Sequence, residues 1–323
     1  MQLAMETVVK MRILIVGREA QYNAEYFYKK AFLELGNDVS MLNSYNGISN
    51  QFLTRMIHSR TGLFNYSLEK LWINRNIIRE TEELDPDCII FIKGDLISTR
   101  VLSELAENRK IYLLYPDTYK FETLLRKRLE YFTSVFTAAN NKQFYYMMGA
   151  KVVVTVPWAC DPDFHRRLSI EKKYNISFIG TAYPERRKII RKIGGTDVFG
   201  NFWYGFGTRS HRPVYGEDFV KVINQSKINL NLQARISVEA DAPTMRTFEV
   251  AGCGGFQISD YIPSLKRYFP MLPTFNDIDE LKDLIFHYLE NPKETEEIAL
   301  RTMEICHSSF KYIDAAKTII SGL

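Results

Sequence analysis

Cysteine is scarce in this 323-residue chain. Its four residues, Cys88, Cys160, Cys253 and Cys306, lie far apart and form no CxxC pair. The sequence therefore indicates neither a zinc site nor a disulfide framework, and we expect four reduced thiols, as in a cytoplasmic protein. Histidine is nearly as scarce, with five residues and none at metal-binding spacing, so we predict no metal site.

Long apolar runs are missing as well. No run approaches the ~18 residues needed to span a bilayer. The N-terminal MQLAMETVVK lacks the apolar stretch of a signal peptide, and we expect a cytoplasmic protein. The stretch 52–79 mixes apolar and basic side chains. It predicts either a helix that touches anionic lipid at the inner membrane face or one packed on its own sheet.

Several motifs of well-known enzyme classes are absent. The chain has no GxGxxG after a predicted strand and no GxxxxGK[ST], GxSxG or HExxH. These absences weigh against nucleotide dehydrogenases, P-loop NTPases, hydrolases with a nucleophile elbow and zinc proteases. The net charge of +4 is mild. It suits an anionic substrate and disfavours a nucleic-acid partner, which stays open as an alternative.

Continuous apolar runs are what the chain does have. MRILIVG (11–17) and CIIFIKG (88–94) stand in the first half, and NISFIG (175–180) and KINLNLQ (227–233) in the second. Such runs are typical of parallel strands buried on both faces, and helical patterns alternate with them. The length favours two domains joined near 158–174. We therefore predict two α/β domains, with ligands at the carboxyl ends of the strands.

Four segments of the second half carry a family resemblance. They are NISFIGTAYPERR (175–187), VYGEDFVKVINQSKINLNLQ (214–233), APTMRTFEVAGCGGFQISDY (242–261) and DELKDLIFHYLENP (279–292). Their sequences and their order along the chain resemble the C-terminal domain of the CgeB-like (spore maturation) glycosyltransferases, a branch of the GT-B glycosyltransferases. The resemblance covers about residues 175–310, and extends loosely into the first half through PDCIIFIKG (86–94) and YPDT (115–118).

The resemblance implies an α/β protein of the GT-B fold, with two Rossmann-like domains whose parallel sheets face a central cleft. Residues 11–157 would form the acceptor domain and residues 175–305 the donor domain. The C-terminal helix, within 306–323, would cross back to the first domain. The implied reaction moves a sugar from a nucleotide-sugar donor, a UDP-sugar, to a hydroxyl of a surface glycan, a lipid-linked intermediate or a protein. The resemblance also implies that no metal is needed.

Glu249 is the residue that the resemblance marks most clearly. In GT-B proteins a carboxylate here accepts hydrogen bonds from the ribose hydroxyls of the nucleotide, and such charge-assisted bonds are strong. Asp241 stands eight residues earlier, which is similar to the E-x7-E spacing whose first acid contacts the donor sugar, although Glu239 competes for that role. Tyr215 begins a segment similar to the family's Y-G-E, near where the base would stack.

Two groups of residues are predicted to meet the diphosphate. Thr244, Arg246 and Thr247 lie at the expected N-terminus of a helix, where free N–H groups and the helix dipole favour phosphate. Arg186 and Arg187 follow the turn at Gly180, and cations there would stabilise the leaving diphosphate. The alternative for both groups is a solvated basic surface.

The first half offers Asp117 as a catalytic base. It follows the predicted strand IYLLYP at its carboxyl end, although it also suits the N-cap of the next helix. Gly17, at the end of the first strand, would contact the acceptor or a phosphate.

Three other functions remain open from the sequence. A non-hydrolysing sugar-nucleotide epimerase would share the architecture and need no acceptor. A DNA-base glycosyltransferase would show steep salt dependence. A catalytically degenerate nucleotide-binding scaffold would not need Glu249.

Overall fold

The computed structural model describes residues 10–44, 64–115, 127–204 and 208–323, with backbone alone over 64–69. The chain divides into two compact units. The first unit contains residues up to Thr137 together with Lys142–Val156 and Ala316–Leu323. The second contains Ala138–Asn141 and Pro157–Ala315. Each unit holds one six-stranded parallel sheet, so the predicted α/β class is confirmed.

The first sheet has the order β2-β1-β3-β4-β5-β6. Its strands are β1 Arg12–Gly17, β2 Asp38–Asn43, β3 Cys88–Ile92, β4 Lys110–Tyr115, β5 Ser134–Thr137 and β6 Val153–Thr155. Every neighbouring pair is parallel. All five side chains of β3 are buried, because a parallel sheet is covered on both faces.

The helices of the first unit follow its strands. They are α1 Ala24–Glu34, α2 Phe64–Leu84, α3 Thr99–Asn108 and the short α4 Gln143–Met147. The side chain of Asn23 accepts a hydrogen bond from the backbone N–H of Tyr26 (3.0 Å), and this cap starts α1. Residues 52–63 of the predicted amphipathic stretch lie outside the described residues.

The second sheet has the order β12-β11-β10-β7-β8-β9. Its strands are β7 Tyr174–Ile179, β8 Asp197–Phe199, β9 Arg209–His211, β10 Ser226–Asn231, β11 Gln257–Asp260 and β12 Thr274–Phe275. The chain builds outward from β7, first towards β8 and then, on the other side, from β10. The strand order therefore reverses between β7 and β10, and in open parallel sheets ligands bind at the carboxyl ends of such strands.

Eight helices follow β7 in the described part of the chain. They are α5 Pro184–Ile193, α6 Gly216–Gln225, α7 Arg235–Glu239, α8 Met245–Gly252, α9 Pro263–Tyr268, α10 Ile278–Glu290, α11 Pro292–Ser309 and α12 Tyr312–Ser321. The core of the unit is apolar and includes Val198, Ile228 and Ile258. Helix α12 begins in the second unit, and its residues from Ala316 onward belong to the first. The acceptor and donor roles predicted for the two domains stay predictions.

Candidate functional site

The turn after β7 and the turn after β8 are in close contact through Gly180 and Gly200. The N–H of Gly180 donates to the carbonyl of Phe199 (2.9 Å), and the carbonyl of Gly180 accepts from the indole of Trp203 (2.8 Å). A Cβ on Gly200 would lie only 2.0 Å from the carbonyl oxygen of Gly180. The backbones therefore approach closely enough to exclude any side chain, which fixes the edge of the site.

Arg186 joins the ends of β7 and β10. Its Nε donates to the carbonyl of Leu232 (3.0 Å) and its Nη1 to the carbonyl of Thr181 (3.3 Å). Burial lowers the pKa of its guanidinium, which stays charged because that pKa starts so high. Arg186 thus places a half-buried cation where the strand order reverses. Arg187 follows on the same helix, and its Nε donates to the carbonyl of Ala182 (2.7 Å).

The N-terminus of α8 presents unused donors. Thr244 is the N-cap residue, and its N–H donates to the side-chain oxygen of Gln233 (3.2 Å). The N–H of Thr247 returns to the carbonyl of Thr244 (3.0 Å). Among the residues that the structure describes, the N–H groups of Met245 and Arg246 have no acceptor. An anion placed there would meet two free N–H groups and the positive end of the helix dipole.

The hydroxyl of Thr247 faces the interior instead. The residue is fully buried, and its Oγ1 accepts from the amides of Asn231 (2.8 Å) and Gln233 (3.3 Å). Gln257 donates in turn to the Thr247 carbonyl (2.8 Å). This buried amide network supports the first turn of α8 from below. The phosphate contact predicted for Thr247 stays a prediction, and these bonds leave its hydroxyl committed elsewhere.

Glu249 lies one turn further along α8 and is only 5% exposed. Its Oε2 accepts a hydrogen bond from Nη1 of Arg246 (2.8 Å), and its Oε1 lies 3.9 Å from Nε2 of His165. The Arg246 guanidinium also stacks over the ring of Phe219, 4.2 Å from its centroid. The carboxylate is therefore buried among polar partners, and Arg246 is the partner with the greater exposure to solvent.

Asp260, at the end of β11, is a carboxylate with a raised pKa that the sequence interpretation missed. Its Oδ2 accepts from the backbone N–H of Gln233 (2.6 Å). Burial raises its pKa to about 6, and the charge of Arg186 opposes that rise only in part. The signal was present in the sequence, because Asp260 ends a strand in the same way as the predicted base Asp117.

Comparison with known proteins shows which families this part of the chain is similar to. Residues 166–321 match the family model described as glycosyl transferase-like. We refer to residues 166–321, which match that model, as the glycosyltransferase-like region. The chain is also 20% identical to the spore protein CgeB of Bacillus subtilis over 252 residues, which are 69% of this chain and 78% of that protein. The predicted resemblance to the CgeB-like proteins is confirmed.

Solved structures share the fold over nearly the whole chain. Sucrose-phosphate synthase from Thermosynechococcus elongatus matches with a TM-score of 0.70 and 11% identity, covering 97% of this chain and 98% of its own. HepE from Anabaena in complex with UDP-glucose matches with a TM-score of 0.63 and 12% identity, covering 96% and 98%. The predicted GT-B fold is confirmed.

Asp241 occupies a turn in the glycosyltransferase-like region, with a left-handed φ of 49°. Its Oδ1 accepts from the N–H of Ser264 (2.7 Å), and its Oδ2 from Arg267 (2.9 Å). These bonds hold the start of α9. The contact with the donor sugar predicted for Asp241 stays a prediction.

The remaining predicted residues are spread over both units. Tyr215 is the N-cap residue of α6 and is 74% exposed, and the base stacking predicted for it stays a prediction. Gly17 ends β1 in the first unit, and a Cβ there would lie 2.9 Å from Cγ of Glu25. Asp117 lies outside the described residues.

Two general features complete the description. Over the described ranges, no cluster of three or more His, Cys, Asp or Glu side chains is placed to hold a metal ion. In the same ranges, no helix combines the length and the apolar character needed to cross a membrane.

Proposed function

We propose that this chain is a glycosyltransferase that moves a hexose from a UDP-sugar to a hydroxyl of a surface glycan, a lipid-linked intermediate or a protein. The second unit would bind the donor and the first unit the acceptor. One observation carries the proposal: the buried carboxylate of Glu249 lies on α8, about one turn after the free N–H groups at its start. This pairing offers an anion site and a diol acceptor one helical turn apart.

The diphosphate would lie against the N-terminus of α8. The N–H groups of Met245 and Arg246 would donate to it, and the helix dipole would favour its charge. Negative charge grows on the diphosphate as its bond to the sugar breaks. The half-buried cation of Arg186 would stabilise that charge without reorganising, because its guanidinium is already held by two carbonyls. Arg187 and the turn at Gly180 would flank the same phosphates.

Ribose binding requires an exchange at Glu249. In the structure, Nη1 of Arg246 donates to Oε2 of the carboxylate (2.8 Å). When a nucleotide enters, the Arg246 guanidinium would turn towards a phosphate, and the ribose hydroxyls would take its place on Glu249. Charge-assisted bonds replace one another in this exchange, so the buried carboxylate keeps strong donors throughout.

Other parts of the proposal rest on the family resemblance. A UDP-sugar is the proposed donor because the related fold of HepE is known in complex with UDP-glucose. Tyr215 would stack on the base, Asp241 would contact the sugar, and Asp117 would take the proton of the acceptor hydroxyl. We propose a cytoplasmic enzyme with a peripheral contact at the inner membrane face.

Calorimetric titration with UDP tests the donor site. Glu249→Ala should weaken UDP binding by at least tenfold, because a carboxylate–hydroxyl bond is worth ~1.5–3 kcal/mol. Glu297→Ala is the matched control, since that glutamate is exposed on α11 and forms only a surface ion pair with Arg301. Equal affinities for the two variants would remove the ribose-binding role of Glu249.

Turnover is tested by the release of UDP from a panel of UDP-sugars, with water as the acceptor. Arg186→Ala should slow release at least tenfold, because preorganised charge at a leaving group is worth several kcal/mol. Arg191→Ala removes an exposed arginine from the last turn of the same helix and should leave the rate unchanged. Recovery of an epimerised UDP-sugar without free sugar would identify an epimerase. Tight UDP binding with no turnover in the presence of an acceptor panel would favour a scaffold.

A further inference from the structure

His165 lies next to the proposed ribose-binding carboxylate, although the two residues are far apart in the sequence. Its side chain is 1% exposed. The segment before it forms a tight turn, in which Oδ1 of Asp161 accepts from the N–H groups of Asp163 (3.0 Å) and Phe164 (3.3 Å). The ring of Phe164 packs edge-on against the imidazole, with centroids 5.0 Å apart. The orientation of the imidazole is therefore determined by its own loop.

The same loop determines which nitrogen of His165 carries the proton. The backbone N–H of Asp161 donates to Nδ1 of the ring (3.0 Å). A backbone N–H can only donate, so Nδ1 must accept and a neutral imidazole must carry its proton on Nε2. Burial lowers the pKa of His165 to about 4, which keeps the ring neutral near pH 7. The protonated Nε2 lies on the side of Glu249 Oε1, 3.9 Å away.

Glu249 thus lies between two donors of different kinds. Arg246 holds Oε2 by a charged hydrogen bond of 2.8 Å, and that bond must break when the ribose enters. The Nε2–H of His165 approaches Oε1 from the buried side, where a ligand does not need to displace it. The separation of 3.9 Å between Nε2 and Oε1 is too long for a hydrogen bond. A small rotation of the carboxylate after the loss of Arg246 would close it.

We propose that His165 is a positioning residue for nucleotide recognition, and that its Nε2–H holds the Glu249 carboxylate in the orientation that binds both ribose hydroxyls. The inference rests on the proposed function, because it needs Glu249 to bind a ribose. It goes further by assigning a role to a buried histidine that is otherwise a core residue. A neutral donor suits this role, since a charged imidazole would pair with the carboxylate and compete with the ribose.

The test compares UDP with 2′-deoxy-UDP by calorimetric titration of the full chain. The wild-type protein should prefer UDP by about tenfold or more, because the deoxy analogue leaves one carboxylate oxygen without a hydroxyl partner. Glu249→Ala should abolish the preference. His165→Asn should reduce it at least threefold, because the shorter amide can replace Nδ1 but cannot reach the position of Nε2. His165→Gln places an amide donor near that position and should retain the preference.

A role in packing alone would change the stability of these variants and leave the preference unchanged. If His165→Asn kept the full preference while Glu249→Ala lost it, the positioning role would be wrong and the proposed function would stand. If wild-type protein failed to prefer UDP, both would fall together.

A second measurement avoids variants that fold poorly. Long-range ¹H–¹⁵N spectra of histidine-labelled wild-type protein report the tautomer of each ring. We expect His165 to carry its proton on Nε2 and the shift of that nitrogen to move when UDP is added. A proton on Nδ1, or no response to UDP, would overturn the proposal.

Discussion

Glu249 and Asp260, two carboxylates of the second unit, have different hydrogen-bond partners. Glu249 has the guanidinium of Arg246 within hydrogen-bonding distance. Asp260 has one backbone N–H and a more distant cation, and burial raises its pKa to about 6. Titratable groups that are perturbed by burial beside a charge gather at functional sites. We therefore include Asp260 in the candidate donor site because of its raised pKa, although no sequence motif marks it.

The raised pKa of Asp260 predicts a pH dependence of stability. The folded protein holds this proton more tightly than the unfolded chain, whose aspartate titrates near 3.9. The stabilising contribution is full at acid pH and is lost as pH rises through about 6. The Asp260→Asn variant has no carboxyl group at this position, so its stability does not fall in this pH range for this reason. Its unfolding free energy relative to wild type should therefore rise by about 2 kcal/mol between pH 4 and pH 8.

Urea titration at the two pH values measures this difference. A Trp72→Phe background lets tryptophan fluorescence follow the second unit, because Trp158 and Trp203 both lie there. A constant difference between Asp260→Asn and wild type would show that the carboxyl group is ionised normally. Asp279→Asn, at an exposed position of α10, is the matched control and should show no pH-dependent difference.

At the scale of elements, the site depends on how closely two strand ends approach. The turn after β7 and the turn after β8 touch through Gly180 and Gly200, where a Cβ would lie 2.0 Å from a backbone oxygen. Backbone atoms cannot rotate away as a side-chain tip can. The contact also determines where the loop that carries Arg186 begins.

Gly200→Ala should therefore lower the unfolding free energy of the second unit by about 3 kcal/mol, the upper range for inserting one methyl group into a packed site. It should also weaken UDP binding by displacing the turn at Gly180. Gly195→Ala is the control, because its Cβ would meet no atom within 4 Å and only its φ of 58° is unfavourable. That change should cost about 1 kcal/mol and leave UDP affinity intact. Equal losses would mean that the close approach is not rigid.

Patterns of single elements explain how far the sequence predicted the fold. The apolar runs at 11–17 and 175–180 appear as β1 and β7, because a buried parallel strand needs apolar side chains on both faces. The edge strands β9 and β12 were not predicted. They contain three and two residues, too few to show any periodicity.

At the scale of the whole molecule, the last helix changes units along its length. Residues from Ala316 onward belong to the first unit, where Ile319 is fully buried. The hydroxyl of Tyr112 on β4 donates to the carbonyl of Leu323 (2.6 Å), and Lys110 reaches the same oxygen (3.3 Å). Residues from the far end of the chain therefore pack against the first sheet.

Ile319→Ala should destabilise the first unit by about 3 kcal/mol, because a fully buried isoleucine is replaced by a cavity. Hydrogen exchange by mass spectrometry should show faster exchange in β4 and β5. Lys317→Ala is exposed on the same helix and should change little. Faster exchange confined to the second unit would contradict the assignment of this helix end to the first.

The sequence by itself determined the class of the fold, the order of most strands and helices, and the resemblance of the second half to the CgeB-like glycosyltransferases. Strands and helices can be predicted in this way because the spacing of apolar residues along the sequence indicates them. It also singled out Glu249 and Arg246, which stand in one helical turn.

Only the tertiary structure decided how the site is assembled. It placed Arg186 between two strand ends, turned the hydroxyl of Thr247 inward, and brought His165 to the buried side of Glu249. Burial also changed the ionisation of Asp260. The burial and pairing of a charged side chain depend on which distant segments come into contact. The pattern of neighbouring residues in the sequence does not show these contacts.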